Sequence, residues 1–522
     1  MHNNDKDNNK NKKGKASRSR TGCHTCKIRH VKCGEEKPEC LLCKNSGRKC
    51  DGYDTPRYQL HTKVVQRRSR PAWSMVSPDH RLILRPGTRE ERQYIELFCS
   101  QTSEALSGFF SPQLWNFQLP QLSHSEPTIR HAIAALSAAH ERTILNPSAA
   151  NVGVTEQFVL QQYNKSIQYL MEHLTAPKSQ STDLLLVTCG LFICLEIVRG
   201  NNKQASNHLA AGTSILHKRG HSTNTTPQSM DIDRELSHLF FRLNMQLSLF
   251  GRPLAPFTIG YKGTLPPSPE GEISFTTVEE ARHCLDGLMN KALRFVRLGF
   301  RDPTPSDATR KQQKQKREYI RAEFDAWTMA LNKMMAGRRN SKTDRRGPLT
   351  LQLHHQVSLI WLRASFATDQ MVFDNFRSNF ETIIRLAEEV VRLGLDQEKP
   401  SPSNKFALES GITSPLWFTA VKCRDPIIRR KAIHMLSDYR RREGMWDQGL
   451  FFKVAELVLE SEEAELSSLP IEKRVPEDWQ RVYDPMLPDE VVKSPCQVIL
   501  LSKPHGVDGG WHKRTAYISW TP

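Results

Sequence analysis

Six of the chain's twelve cysteines fall within 28 consecutive residues: Cys23, Cys26, Cys33, Cys40, Cys43 and Cys50. The spacing is C-x2-C-x6-C-x6-C-x2-C-x6-C, so one half, C-x2-C-x6-C, occurs twice. A duplicated half predicts two similar lobes related by approximate symmetry. So short a segment holds almost no apolar material, and something other than a hydrophobic core must fold it. Three disulfides would suit a small exported scaffold, but the polar opening run MHNNDKDNNKNKKGK has no apolar stretch and does not read as a secretory signal. One four-thiolate zinc site with two spare thiols leaves the repeat unexplained. Two zinc ions fit it: two tetrahedral ions need eight ligand positions, and six thiolates supply eight when two of them bridge. Symmetry then points to the first cysteine of each half, Cys23 and Cys40, as the bridges. Zinc suits tetrahedral thiolate sites and brings no redox chemistry; an iron–sulfur cluster is the competing assignment on ligand type. Metal binding has to supply the folding free energy, and without metal the segment is expected to be unfolded.

Charge points the same way. The chain carries a formal +18, and residues 1–73, with 19 Lys+Arg against 7 Asp+Glu, account for +12 of it. Positive charge gathered over a short stretch is what a polyanion-binding surface needs, because each neutralised phosphate releases condensed counterions. A solvated basic tail is the plainer alternative. Inside the cysteine segment, Lys27, Arg29, Lys32, Arg48 and Lys49 are interleaved with the ligands and offset the negative surplus of six thiolates around two divalent ions.

The segment GCHTCKIRHVKCGEEKPECLLCKNSGRKC, followed by DGY, resembles the binuclear zinc cluster of fungal transcription factors. The resemblance implies a short helix entering the DNA major groove. It also implies basic residues between the second and third cysteines that read a CGG-like triplet in double-stranded DNA. The matching positions are Lys27, Arg29, His30 and Lys32. Lys and Arg are suited to guanine O6 and N7. His30 stands where the family usually has Lys or Arg, and Gly34 replaces the acidic residue common after the third cysteine. Pro38 matches a loop proline that is often cis in known members. A regulator of RNA polymerase II genes acting in the nucleus is the implied function. Residues 10–20, KNKKGKASRSR, read as an import signal or phosphate-binding arm within a basic tail over 1–20. Residues 53–87, with Pro71, Pro78 and Pro86, read as a linker. They show no heptad run that would make the dimerising coiled coil common in the family, so a monomer and a homodimer both stay open.

From Thr88 to about Leu469 the periodicity is helical, and the class is all-α: a multilayer array over 88–470 rather than a four-helix bundle. Thr88 with Glu91 makes a capping box. Further helices are expected over 155–174, 183–199, 232–250, 277–299, 317–335, 351–393 with a break, 426–442 and 447–466, besides PTIRHAIAALSAAHER. The most apolar run, Leu184–Val198, has 15 residues and is interrupted by Glu196. A membrane span needs roughly 20, so it reads as a buried helix, with no membrane partner and a soluble, intracellular chain. FFRLNMQ, around Arg242 and Gln246, is similar to a segment of the fungal regulatory domain. The stretch PLWFTAVKCRDPIIRRKAI, RRREGMWD and EEAE is similar to that domain's C-terminal signature. The resemblance makes transcription co-regulators and a small-molecule effector candidate partners.

Chemistry is sparse in this region. His354 and His355 are adjacent and face apart on a helix, a poor metal pair. Cys189 and Cys194 read as core thiols, Trp417 and Trp446 as core anchors. Arg424 with Asp425, and Arg441 with Glu443, read as structural ion pairs or solvated charges. No phosphate loop, dinucleotide fingerprint or nucleophile elbow is present, and the chain is not expected to be an enzyme. In the C-terminal segment, 471–522, CQVILL and RTAYISW flank the Gly-rich PHGVDGGWHK and predict a β-hairpin.

Overall fold

The computed structural model describes residues 21–53, 86–108, 113–144, 152–176, 182–219, 227–249, 273–299, 306–337, 345–397, 406–439, 441–488 and 494–520. The basic tail with its import run, and nearly all of the linker, lie outside these residues. The chain divides into two compact units at Ile83 and Leu84.

The first unit is built on two short helices, α1 (His24–Ile28) and α2 (Leu41–Asn45). Each begins immediately after a cysteine that caps it: Cys23 Sγ accepts from Cys26 N at 3.4 Å, and Cys40 Sγ from Cys43 N at 3.3 Å. His24 N donates to Gly52 O (2.9 Å), closing the segment on itself.

The second unit is predominantly helical. α3 (Arg89–Leu97) starts at the expected capping box: Glu91 N donates to Thr88 Oγ1 and Thr88 N to Glu91 Oε2. A wide turn, Phe98–Thr102, leads into α4 (Ser103–Ser107). There follow α5 (Leu119–Ser125), α6 (Pro127–Ile144), α7 (Val152–Thr175), α8 (Thr182–Arg199), α9 (Asn202–Arg219) and α10 (Pro227–Leu249). α6 and α8 are the spine of this part: Ile129, Leu136, Leu186, Ile193 and Leu195 are completely buried. α9 passes so close to α10 that a Cβ on Gly212 would lie 2.1 Å from Phe240 Cε1, so glycine is required there.

A second layer comprises α11 (Val278–Gly299), α12 (Asp307–Gly337), α13 (Arg346–Ala364) and α14 (Arg377–Gln397). The break expected within 351–393 falls between α13 and α14, where Met371–Phe376 forms a 3-10 turn. α11, α12 and α13 enclose buried Trp327, whose Nε1–H donates to Ala281 O at 2.7 Å. After β1 (Phe406–Ala407) come α15 (Thr413–Lys422) and α16 (Pro426–Asp438), then β2 (Arg442–Glu443), β3 (Trp446–Asp447) and α17 (Gln448–Glu463). β2 pairs with β1 in parallel and with β3 in antiparallel fashion. The helix expected over 426–442 therefore stops at Asp438. RRREGMWD turns sharply instead, with Gly444 at φ 57°.

The chain ends in β4 (Val482–Met486), β5 (Cys496–Ser502) and β6 (His512–Ile518), a three-stranded antiparallel sheet in that order. The expected hairpin is β5–β6, with Cys496 opposite Ile518. Val498, Leu500 and Ile518 pack with Trp446, Phe451 and Val454 in one apolar cluster. Among the described residues no helix is long and apolar enough to cross a membrane.

The ion-pair expectations need correction. Arg424 does not pair with its neighbour Asp425 but with Glu462 (2.8 Å), which also takes Arg429 (2.7 Å), all three fully buried. Arg430 pairs with Glu463. The arginines of PIIRR thus meet the glutamates of EEAE, which ties α16 to α17. Asp425 caps α16 by accepting from Ile427 N and Ile428 N. Glu443 leaves Arg441 alone and accepts instead from the backbone N–H groups of Gly411, Ile412 and Thr413 at the start of α15.

Candidate metal centre and nucleic-acid interface

All six cysteines of the repeat turn toward one another, five of them at 6% exposure or less. The Sγ atoms of Cys23, Cys26, Cys40 and Cys43 lie within 4.8 Å of one another. Cys23 Sγ and Cys40 Sγ, the pair that symmetry marks as bridges, are 3.6 Å apart. Cys33 and Cys50 sit outside this quartet but take matching places. Cys33 Sγ accepts from Cys23 N at 3.3 Å, and Cys50 Sγ from Cys40 N at 3.5 Å. Six inward sulfurs with backbone donors aimed at them form a donor set that fits thiophilic, tetrahedral metal ions.

Cys23, Cys26 and Cys43 are shifted one way and Cys33 and Cys50 the other. Burial pushes the Cys23 thiol far up, Cys26 up to about 12, and Cys43 up as well. Cys33 is buried too, yet N–H groups of Cys23 and Glu35 and the Tyr53 hydroxyl bring it down to about 7. Backbone donors of Cys40 and Gly52 lower Cys50. Sulfurs packed against sulfurs resist ionising until a cation compensates them, so the central thiols give up protons on metal binding.

The repeat extends to the backbone. Four residues past the second cysteine of each half, His30 (φ 56°) and Gly47 (φ 65°) are both left-handed. Two residues past the third, Glu35 (φ 65°) and Gly52 (φ 74°) are both left-handed again. The two lobes follow one path, with glycine at both strained positions in the second half and side chains at both in the first. The Lys37–Pro38 bond is cis.

The halves differ in what they present. Lys27 and Arg29 are half-buried, Arg29 Nη1 reaching Ser46 Oγ across the pseudo-twofold (3.3 Å). His30 and Lys32 are exposed, and Ile28 between the basic residues is 75% exposed. Over the equivalent stretch the second half offers Lys44, Asn45, Ser46, Gly47, Arg48 and Lys49. The four basic residues singled out in sequence therefore share one short stretch of α1 and its exit.

In the helical unit the residues considered for chemistry are engaged structurally. His354 Nε2 lies 3.0 Å from Ser410 O, whereas His355 Nε2 faces Thr328 Oγ1 and Phe324 O, so the two rings do point apart. Cys189 and Cys194 are buried in α8. Trp446 is 2% exposed and packs at a tilt against Trp417 and Phe451.

Residues 21–59 match the fungal Zn(2)-Cys(6) binuclear cluster domain, and residues 93–299 the fungal specific transcription factor domain. The aspercryptin biosynthesis cluster-specific transcription regulator atnN of Emericella nidulans is 25% identical over 84% of this chain and 86% of its own length. The transcription regulator lscL of Purpureocillium lilacinum is 28% identical over 37% of this chain and 48% of its own length. Adhesion and hyphal regulator 1 of Candida albicans is 56% identical over 36 residues, 7% of this chain and 6% of its own length. No solved structure matches the chain.

Proposed function

We infer that this chain, which belongs to the fungal Zn(2)-Cys(6) binuclear cluster transcription regulators, reads CGG-like triplets in double-stranded DNA through a two-zinc, six-thiolate module. Cys23, Cys26, Cys33, Cys40, Cys43 and Cys50 hold the ions, with Cys23 and Cys40 shared between them. Bound zinc supplies the crosslinks that fix the lobes, since so small a module has little else to fold it. Lys27, Arg29, His30 and Lys32 then face the DNA from the first lobe. The observation that carries this reading is the asymmetry of the module. Two lobes share one backbone path and three Lys or Arg each, Lys27, Arg29 and Lys32 against Lys44, Arg48 and Lys49, yet only the first places Arg29 and His30 at its helix exit, where the second has Ser46 and Gly47.

Lys and Arg at that exit suit guanine edges in the major groove and phosphates beside it. The site of action is the nucleus. The helical unit over 88–470, with the sheet of 471–522 closing it, controls activity through co-regulators or a small-molecule effector. Whether the chain binds as a monomer or a homodimer decides half-site spacing.

A selection of bound sequences from random duplex, run with zinc at fixed salt, tests the reading. It should enrich CGG-like triplets, and Cys40→Ala or prior chelation should abolish enrichment; enrichment that persists after chelation would overturn it. Arg29→Ala separates base reading from phosphate contact. Loss of preference at one position, at a cost of about 1–3 kcal/mol, marks a base contact, and even weakening on all sequences marks a phosphate contact.

A further inference from the structure

The helical unit contains a small slot that DNA reading does not use. It lies where α10, α11, α13 and the segment after β1 meet, with a volume of about 70 Å3. Part of its lining is ionic. Arg242 Nε stands 3.2 Å from Glu409 Oε1, and Arg282 Nη2 2.5 Å from Glu409 Oε2. Asp286 belongs to the same cluster, yet its Oδ2 is shut off from solvent with no hydrogen-bond donor among the described residues. Burial draws the Asp286 carboxyl up to about 6, against the pull of the two arginines. The rest of the lining mixes apolar Met245, Leu285, Met289 and Leu351 with polar Gln246, Thr350, His354 and Ser410.

Three properties define what such a slot accepts. An unpaired buried carboxylate oxygen is an open acceptor, normally met by a water or a ligand donor. The formal charges of Arg242, Arg282, Asp286 and Glu409 cancel, so a ligand with net charge would unbalance a desolvated cluster. The slot is small, about 70 Å3, and the two methionines are adaptable walls.

We propose that this slot binds a small uncharged hydrogen-bond donor with a short apolar body, an alcohol or primary amide of about three carbons. The donor group satisfies Asp286 Oδ2, and the carbon chain lies against Met245, Leu285, Met289 and Leu351. Position gives the ligand leverage. Glu409 belongs to the segment held by Gln246 Nε2 on Leu408 O and by His354 at Ser410 O, where helices from both layers converge. The regulatory use of the slot rests on reading the helical unit as the controlling domain, but binding itself is tested without DNA.

The probes are propionamide, n-propanol, n-propylammonium and propionate, titrated onto the zinc-loaded full chain with saturation-transfer NMR on the probe. The two uncharged probes should bind saturably, with dissociation constants between about 10 µM and about 10 mM, as their size allows. The two charged probes should bind at least about tenfold more weakly. Asp286→Leu should weaken the uncharged probes by about tenfold or more. Met289→Phe narrows the slot without touching its charges and should do the same, which keeps the test decisive if Asp286→Leu does not fold. Absence of saturable binding by either uncharged probe up to about 50 mM, equal binding of propionate, or indifference to both substitutions would each refute the proposal. DNA binding by the same preparation is scored separately, so failure of one reading leaves the other standing.

Discussion

The two units of this chain solve the folding problem by opposite means. The cysteine module spans 28 residues from Cys23 to Cys50 and gathers little besides sulfur at its centre. The helical unit buries leucine, phenylalanine and tryptophan in extended clusters and sets interior arginines against buried carboxylates, Arg424 and Arg429 sharing Glu462. In the first, order depends on an equilibrium with something outside the chain. In the second it depends on area removed from water. The pairing suits a regulator: one unit whose donor set fits metal ions, and one held by its own apolar core.

The sharpest way to break this contrast is chelation. Removing zinc should unfold residues 21–53 and abolish DNA binding, while the far-ultraviolet circular dichroism of the helical unit barely changes. A large loss of helix on chelation would mean that the two units share one folding transition. The reverse experiment is Glu462→Gln. This leaves Arg424 and Arg429 without their carboxylate in a fully buried place. A loss of about 3–5 kcal/mol is expected in urea unfolding of the helical unit, with zinc content unchanged.

Acid should distinguish the units next. Burial holds His140 and His355 down to about 4 in the folded chain. Their protons bind the unfolded chain more tightly, so the urea midpoint should be flat above pH ~6.5 and fall as pH drops from there toward ~4. The module loses zinc in acid as well, because thiolates are protonated, but excess zinc should oppose that loss. Excess zinc should not rescue the helical unit. If it did, the metal would be supporting more than the cysteine segment.

The smallest expected effect lies inside the module. Glu35 is left-handed where its counterpart is Gly52. Glu35→Gly should relieve that strain and raise zinc affinity modestly, by about 0.5–1 kcal/mol at most. Loss of Thr21 Oγ1–Glu35 Oε1 (2.7 Å), an exposed contact, should cost less. A competitive chelator titration reads the balance, and weaker zinc binding would show that the side chain matters more than its backbone.

What the sequence disclosed follows the range of the forces involved. Metal ligation imposes short fixed spacings, so the six cysteines and the doubling of the lobes could be read directly. Amphipathic periodicity exposed α6, α7 and α17, and an unbroken apolar run exposed α8, because these signals too are local. α9 escaped: NKQASNHLAAGTSILHKR is rich in weak helix formers, and Gly212 looks like a breaker until Phe240 is found against it. The strands β1, β2 and β3 are two residues each and exist only by tertiary pairing. Charges misled for the same reason. Arg424 was matched with the adjacent Asp425, whereas its partner Glu462 lies 38 positions away. The cluster of Arg242, Arg282 and Glu409 joins three distant segments and leaves no local trace. The left-handed turn at His30 had no signal except its register with Gly47.

The segment from Phe406 to Thr413 has a practical bearing on how this protein can be cut. Leu408 N donates to Ala105 O, Phe406 packs edge-on to His140, and Glu409 pairs with Arg242 and Arg282, so a stretch late in the chain completes helices made early. A fragment ending at residue 299, where the match to the fungal specific transcription factor domain stops, would lack the Glu409 partner of Arg242 and Arg282 and leave an apolar flank uncovered. Such a truncation should be recovered as aggregate. Expression boundaries belong after the C-terminal sheet, and a deletion allele that stops short of Glu409 is better scored as a null than as an informative separation of activities.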